Sequence, residues 1–241
     1  MNIIKRNIPN MVTCMNLVAG FLSIVCAFKG SEELWGLDGF GWAWIFIGIA
    51  AAADFLDGFM ARLLHAYSNL GKELDSLCDL VSFGVAPAFI MFSCLAETGA
   101  PAWTLWFVII IPVCGALRLA RFNIDTRQTS SFIGLPIPAN AIFWIGYSAL
   151  SLESASALSF ESAGLLSQWW CVVPVMIVES WLMLSPLKLF SLKFKTWGWK
   201  GNGWRWLLIV TAVVMVTCMG VPGLMWLIVA YVLYGLLNGG R

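Results

Sequence analysis

The sequence has little charge and only one histidine. Asp, Glu, Lys and Arg make up 11% of the 241 residues, whereas 60% are hydrophobic and the mean hydropathy is +0.85. This composition excludes a soluble globular domain, and a net charge of +1 gives no indication of a nucleic-acid partner. His65 is predicted to face a membrane interface rather than to take part in a Ser-His or Cys-His catalytic pair.

The sequence also lacks paired cysteines, repeats and linkers. Its seven cysteines are scattered through mostly apolar segments with no CxxC pair, so they are predicted to be reduced rather than to form disulfides or a zinc site. The apolar run after Lys5 and Arg6 ends without a small-residue cleavage pattern, which predicts an uncleaved first span. No internal repeat, low-complexity tract or Pro/Gly-rich linker marks a second domain, and a single membrane domain is expected over residues 1–241.

The chain contains several long apolar segments. A transmembrane helix takes roughly 20 apolar residues. Several segments reach or approach this length, which predicts an all-α integral membrane protein, a polytopic bundle of about eight transmembrane helices. The fifth and the last three segments are short or closely connected, so six or seven crossings remain open. The predicted spans are 9–28, 40–64, 73–95, 102–122, 136–151, 168–185, 204–219 and 222–238.

The distribution of charge predicts the orientation of these spans. If the N-terminus is cytoplasmic, Lys29 is the only one of the 14 basic residues that falls in an outer loop. Because basic residues accumulate in cytoplasmic loops, eight spans with both termini cytoplasmic are expected. A missed span between residues 130 and 200 would invert the later part. The acidic residues assigned to outer loops are Glu32, Glu33, Asp38, Glu97, Glu153 and Glu161.

Four aspartates interrupt the apolar sequence between residues 54 and 79. Asp54 and Asp57 are three residues apart, and Asp75 and Asp79 are four apart, so each pair lies on one face of a helix. The two helices are predicted to be antiparallel neighbours whose acidic faces lie close together near the cytoplasmic end. Four uncompensated charges at membrane depth would be costly, so a cation is expected to bind there. Two divalent metal ions are the most economical answer.

Two other interpretations of these acids remain open. In the first, the four aspartates form a structural network with Arg62 and Lys72, although two bases leave an excess of negative charge. Alternatively, they would bind a cation in transit through a transporter, although no repeated half is found in the sequence. Glu179 is a further acid within a predicted span and is left unassigned between a functional role and pairing with a buried polar group.

The spacing of residues 54–79 is D-x2-D-G-x2-A-R-x8-G-x3-D-x3-D, with all eight fixed positions present. This pattern resembles the signature of the CDP-alcohol phosphotransferase family, integral membrane enzymes of phospholipid synthesis. Further segments are similar to its prokaryotic phosphatidylserine synthase branch. The resemblance covers roughly residues 8–140, which is the expected catalytic part, followed by C-terminal helices over about 141–238. The further segments are Pro9-Asn10 with Thr13 and Asn16, DLVSFGVAPA (79–88), RLARFN (118–123) and FIGLPIPAN (132–140).

The resemblance implies roles for individual residues. Asp54, Asp57 and Asp75 would be ligands of two Mg²⁺ or Mn²⁺ ions, and Asp79 would be both a ligand and the base for the acceptor hydroxyl. Gly58 and Ala61 would let the nucleotide approach the helix closely, and Gly71 would do so at the turn between the two helices. The residues implied in binding CDP are Gly58, Ala61, Arg62, Ser68, Gly71, Thr13 and Asn16. Those implied in binding the acceptor are Arg118, Arg121, Ser82 and Asn123.

The resemblance further implies transfer of the phosphatidyl group from CDP-diacylglycerol to the hydroxyl of L-serine, giving phosphatidylserine and CMP. The enzyme would be a homodimer in the inner membrane with its site facing the cytoplasm. Glycerol 3-phosphate or an inositol phosphate remains open as the acceptor, and a helix-anchoring role remains open for the two arginines. The basic and aromatic stretch Lys188–Arg205 would be either a site for anionic lipid head groups or a charged inner loop.

Overall fold

The computed structural model describes residues 3–66, 68–124, 131–153, 165–190, 198 and 202–238. Within these ranges most residues lie in nine α-helices, which we number in chain order. A π-helical turn (Leu80–Val85) joins the third helix to the fourth, and a 3₁₀ segment (Ala102–Ile109) leads into the fifth. The helices are α1 (Ile3–Ala27), α2 (Gly39–Leu63), α3 (Asn69–Asp79), α4 (Ala86–Glu97), α5 (Ile110–Ile124), α6 (Ile137–Glu153), α7 (Trp169–Leu184), α8 (Gly203–Met219) and α9 (Gly223–Asn238).

Two short antiparallel strand pairs, which the sequence did not predict, accompany the helices. Strand β1 (Glu33–Leu34) pairs with β2 (Leu37–Asp38) in the loop before α2, and Asp38 caps that helix by accepting a hydrogen bond from the Gly41 amide at 2.7 Å. Strand β3 (Ser131–Ile133) pairs with β4 (Lys188–Phe190). The chain divides into two compact units, Met1–Leu119 and Ala120–Arg241, with the boundary inside α5.

In the first unit α1 is the helix around which the others pack. It lies along α2 and also contacts α3, the π-helical turn and α4. Ala43, Ile47 and Ala50 recur at helical spacing and form a buried face of α2. The Ser23 hydroxyl of α1 donates to the carbonyl oxygen of Ala43 at 2.9 Å. The small residues and this hydrogen bond let the two helices approach closely, as is usual between helices in membranes.

The π-helical turn makes α3 and α4 one helix of 29 residues, Asn69–Glu97. It begins directly after Asp79 and places Ser82, which is fully buried, against α1. A Cβ atom at Gly20 of α1 would lie 2.7 Å from the Ser82 Cα, so only glycine permits this approach. Single π-helical turns are uncommon and often occur at functional sites. Here the turn follows one of the four motif aspartates.

In the second unit α9 packs against both α6 and α8. Trp144 and Tyr147 of α6 are almost completely buried, and their rings lie 5.5 Å apart. Gly146, on the same helix, touches the backbone nitrogen of Met225, so a side chain there would push α9 away. The close backbone approach at Gly146 therefore holds α6 against α9, while the two rings pack against each other along α6.

Each of the eight predicted spans coincides with a helical segment. In the described part of the chain, four helices are long and apolar enough to cross a membrane, and four apolar helices are shorter. The protein is thus an all-helical, multi-pass membrane protein. The third span begins at residue 69 rather than 73 because Ser68 caps α3 there. Most of the stretch Lys188–Arg205 lies outside the described residues. So do Arg127 and Glu161, which are assigned to loops by the distribution of charge.

Candidate active site at an aspartate cluster

Three of the four motif aspartates come together in the first unit. Asp54 and Asp57 of α2 and Asp75 of α3 each offer a carboxylate oxygen within 4.8 Å of the others. Asp57 is buried, and the other two are half-buried. The i, i+3 spacing brings the first two onto one face of α2, as the sequence predicts. The cluster therefore joins two helices through groups that repel one another when ionised.

A tight reversal of the chain brings Asp75 back to Asp57. The Leu64 and Ala66 amides close the end of α2 by donating to the carbonyls of Met60 and Ala61, and His65 adopts a left-handed φ of 49°. The Ser68 hydroxyl then accepts a hydrogen bond from the Gly71 amide at 2.9 Å and starts α3. The sequence predicted Gly71 at the turn itself, and this is wrong, because Gly71 lies in the first turn of α3.

The carboxylate oxygens of the cluster are suited to divalent metal ions. The Asp57 Oδ2 and Asp75 Oδ1 atoms are buried without a hydrogen-bond partner. Buried carboxylate oxygens are costly unless a donor or a cation satisfies them. Hard divalent cations prefer oxygen ligands of this kind. The cluster of Asp54, Asp57 and Asp75 is thus suited to hold metal ions. Such ions would neutralise the negative charge of the three carboxylates.

Asp79 lies one helical turn beyond Asp75, at the C-terminal end of α3, and only 9% of it is exposed. Its Oδ1 atom accepts a hydrogen bond from the Asn16 side-chain amide at 3.1 Å. The Ser82 hydroxyl donates to the backbone carbonyl of Asn16 at 2.9 Å. The sequence assigned Asn16 to the nucleotide and Ser82 to the acceptor. In the structure both side chains contact protein groups around Asp79.

A cavity of about 210 Å³ opens beside the aspartates. Five of the seven residues predicted to bind CDP line it, namely Thr13, Gly58, Ala61, Ser68 and Gly71. A Cβ atom at Gly58 would meet nothing within 4 Å, so this glycine leaves open space rather than permitting helix packing. The cavity is completed by Pro9, Asn10, Asp57, Ala66, Lys72 and Asp75. Arg62, the sixth predicted residue, is exposed, and its Nε atom donates to the Gly58 carbonyl at 2.9 Å.

Helix α1 contributes more to this site than the motif spacing indicated. Asn10, Thr13 and Asn16 recur every three residues in the mostly apolar part of α1 that follows Asn7, and this spacing places them on one face. Asn10 and Thr13 line the cavity, and Asn16 contacts Asp79. A Cβ atom at Gly71 would lie 3.0 Å from the Asn10 Oδ1 atom, so glycine lets α3 approach this face. The sequence assigned Thr13 and Asn16 to the nucleotide but gave Asn10 no role, and the polar spacing in α1 was the signal that could have added it.

A family model for the CDP-alcohol phosphatidyltransferases matches residues 6–184 of the chain. The chain belongs to this family. The match includes the whole aspartate cluster, and it extends beyond the roughly 8–140 over which the motifs show resemblance. Only α8 and α9 lie outside it among the described helices.

The family contains similar proteins of named activity. A CDP-diacylglycerol–serine O-phosphatidyltransferase of Mycobacterium leprae is 39% identical over 153 residues, 61% of this chain and 48% of the relative. A protein of the same name from Bacillus subtilis is 38% identical over 131 residues, 54% of this chain and 69% of the relative. An archaetidylserine synthase of Methanothermobacter thermautotrophicus is 32% identical over 186 residues, 75% and 68% of the two chains. The chain thus spans about half the length of the first of these relatives.

The CDP-alcohol phosphatidyltransferase match also includes the α5 residues predicted to bind the acceptor. Arg118 is buried, with 8% of its surface exposed. Arg121 is exposed, and its Nη1 atom donates to the Leu184 carbonyl at the end of α7, 3.2 Å away. A cation at a helix C-terminus is favourable and is the contact expected of an anchoring arginine. Asn123 is half-buried. Burial therefore separates Arg118 from the other two.

Proposed function

We propose that the protein transfers the phosphatidyl group of CDP-diacylglycerol to the hydroxyl of L-serine, producing phosphatidylserine and CMP. The observation that carries this proposal is the aspartate cluster beside a cavity lined by the small residues of the family motif. The choice of serine is supported by the names of the similar proteins from Mycobacterium leprae and Bacillus subtilis.

In this proposal the aspartates hold the reacting groups in place. Asp54, Asp57 and Asp75 would bind two Mg²⁺ or Mn²⁺ ions, with Asp79 as a further ligand. Bound metal ions supply charge neutralisation for the pyrophosphate and for the leaving CMP. Asp79 also takes the proton of the serine hydroxyl. The serine oxygen bonds to the phosphorus that carries diacylglycerol, and the phosphoanhydride bond breaks with its electron pair leaving on CMP. Direct attack needs no additional nucleophile.

The cavity is the proposed site of the CDP group. Gly58 and Ala61 leave room beside α2, and the Ser68 and Thr13 hydroxyls lie in its wall. Lys72 also lines the cavity and carries a positive charge suited to a phosphate oxygen. Arg62, at the cytoplasmic end of α2 in the proposed orientation, adds a second positive charge. Asn16 acts on this site through Asp79, to which it is hydrogen-bonded.

Arg118 is the proposed partner of the serine carboxylate, because a guanidinium matches a carboxylate through two parallel hydrogen bonds. Ser82, Arg121 and Asn123 are proposed as supports of the acceptor site. For Ser82 the support is indirect, since its hydroxyl contacts the Asn16 backbone. Arg121 would support the site through its contact with the Leu184 carbonyl at the end of α7.

We also propose that the apolar helices make eight crossings of the inner membrane with both termini in the cytoplasm. The bias of basic residues toward one set of loops supports this orientation. The site would then open to the cytoplasm, where serine and CMP are soluble. A single membrane domain, with its catalytic part at about 8–140, and a homodimer remain parts of this proposal.

The test is an acceptor panel with the purified protein in detergent. CDP-diacylglycerol and Mn²⁺ are supplied with serine, glycerol 3-phosphate or an inositol phosphate, and CMP release is measured. Release with serine and formation of phosphatidylserine are expected. Release with glycerol 3-phosphate but not serine would reject the acceptor while retaining the chemistry. If no CMP were released with any acceptor, with or without Mn²⁺, the enzyme class would be rejected and a transporter favoured.

A further inference from the structure

The second unit contains a cavity between α7 and α9, with Phe143 of α6 in its wall. Its volume of about 340 Å³ falls in the range of small-molecule sites, about 300–1,000 Å³. The lining residues of α7 recur every four positions, as Pro174, Val178 and Leu182 do, so one face of the helix borders the cavity. The facing side chains of α9 recur in the same way. All of them are apolar.

Of the lining residues that the structure describes, Glu179 alone has a polar side chain. Only 4% of its surface is exposed, and its Oε1 atom has no hydrogen-bond partner. A buried carboxyl group without a partner is costly at membrane depth. Among the described residues, no second acid and no basic residue lines the cavity, so these residues form neither a metal site nor an internal ion pair there. An occupant with a hydrogen-bond donor would satisfy this oxygen.

The cavity opens toward the surface that lipid chains would contact. Val178 and Leu233, which both line it, are 55% and 52% exposed. They lie on apolar helices of the membrane part of the protein. An occupant that enters through this opening comes from the bilayer and must carry an alkyl chain to match the walls.

We propose that this cavity binds a membrane amphiphile whose alkyl chain lies between α7 and α9 and whose polar group donates a hydrogen bond to Glu179. The occupant needs one alkyl chain that ends in a hydrogen-bond donor, and either a hydroxyl group or a protonated amine is such a donor. The site goes beyond the proposed phosphatidyl transfer. Helix α9, which forms one wall, lies outside the family match, and no residue of the aspartate motif takes part.

The test is photolabelling of the full-length protein in lipid nanodiscs. Three probes share a twelve-carbon chain with a diazirine and differ in their polar end, as an alcohol, an amine and a methyl ether. Labelled peptides are identified by mass spectrometry, and labelling is competed with the unlabelled compound. The alcohol or the amine is expected to label peptides of α7 and α9 saturably, and the larger of the two signals identifies the donor. The methyl ether lacks a donor and should require about tenfold or more higher concentration.

Variants separate the carboxyl group from the cavity. In Glu179→Leu the preference for donor probes should disappear, while the fold should be kept, because replacing an unsatisfied buried polar group by an apolar one is neutral or stabilising. Val232→Phe fills the cavity and should lower labelling by all three probes. Glu33→Gln removes an exposed carboxyl group elsewhere and is the matched control. Equal labelling by the ether, unsaturable labelling, or an unchanged donor preference in Glu179→Leu would overturn the proposal.

Discussion

Asn16 of α1 donates a hydrogen bond from Nδ2 to the Oδ1 atom of Asp79, 3.1 Å away, across 63 positions of sequence. Asn16 is fully buried, and the Ser82 hydroxyl contacts its backbone carbonyl from the π-helical turn. The close approach at Gly20 makes this geometry possible. Asn16 thus fixes one oxygen of Asp79. In the proposed mechanism, where Asp79 is the base, Asn16 is therefore a positioning residue.

We expect Asn16→Ala to lower kcat by about tenfold to a hundredfold, the loss of one hydrogen bond to a charged group. The KM for CDP-diacylglycerol should change little, because Asn16 does not line the cavity. Ser23→Ala removes a buried hydrogen bond of the same helix away from Asp79 and is the control for α1 packing. CMP release gives both constants. A normal kcat in Asn16→Ala, or an equal loss in Ser23→Ala, would contradict the positioning role.

The repulsion among the aspartates predicts a link between metal binding and stability. Without metal ions, Asp57→Asn should raise the free energy of unfolding by about 1 kcal/mol, since it removes a buried charge whose Oδ2 atom has no hydrogen-bond partner. Added Mn²⁺ should stabilise the wild type more than the variant, because bound metal favours the folded state. The variant should also lose turnover. Thermal unfolding in detergent with EDTA or Mn²⁺ measures both effects.

A suitable control for that experiment is Asp38→Asn, which alters an exposed helix cap on α2 far along the helix from the cluster. Its response to Mn²⁺ should match that of the wild type, even if the cap itself is weakened. Equal stabilisation of Asp57→Asn and the wild type by Mn²⁺ would show that this carboxylate does not hold metal.

The acidic pairs and the helices could be predicted because their signals are local. Helical spacing put Asp54 and Asp57 on one face, and apolar runs marked each span. The role of α1 was harder to predict, because contacts such as Asn16 with Asp79 join distant parts of the chain. The spacing of polar residues in α1 hinted at a shared face but not at its partner.

Arg121 and the start of α3 illustrate two other limits of sequence reasoning. The pattern RLARFN gave Arg118 and Arg121 equal standing, and only burial and the contact with Leu184 distinguish them. The capping of α3 by Ser68 moved Gly71 from the expected turn into the helix. Helix boundaries depend on a single side-chain hydrogen bond and are therefore the least predictable feature of an apolar sequence.

Gly58 offers a test of the cavity that separates binding from stability. In Gly58→Ala the added methyl group meets no protein atom within 4 Å and projects from a helix, so the protein should be stabilised by about 0.5–1 kcal/mol. The same methyl group should narrow the cavity and raise the KM for CDP-diacylglycerol. Gly48→Ala, ten residues earlier on α2, also meets nothing within 4 Å but does not line the cavity.

The two glycine variants should therefore unfold at similarly raised temperatures, while only Gly58→Ala binds the nucleotide more weakly. CMP binding by calorimetry and thermal unfolding give the two readouts. Equal CMP affinity in both variants would place the nucleotide elsewhere.

Arg118 and Arg121 form a matched pair on α5 for testing recognition of the acceptor. Arg118→Lys keeps the charge but loses the planar guanidinium that can hold a carboxylate through two hydrogen bonds. The KM for serine should rise about tenfold, with the KM for CDP-diacylglycerol unchanged. Arg121→Lys should leave the KM for serine within about twofold, because an ammonium group can also donate to the Leu184 carbonyl. Equal effects of the two substitutions on the KM for serine would contradict the assignment of the carboxylate to Arg118, since only a general loss of helix anchoring affects both alike.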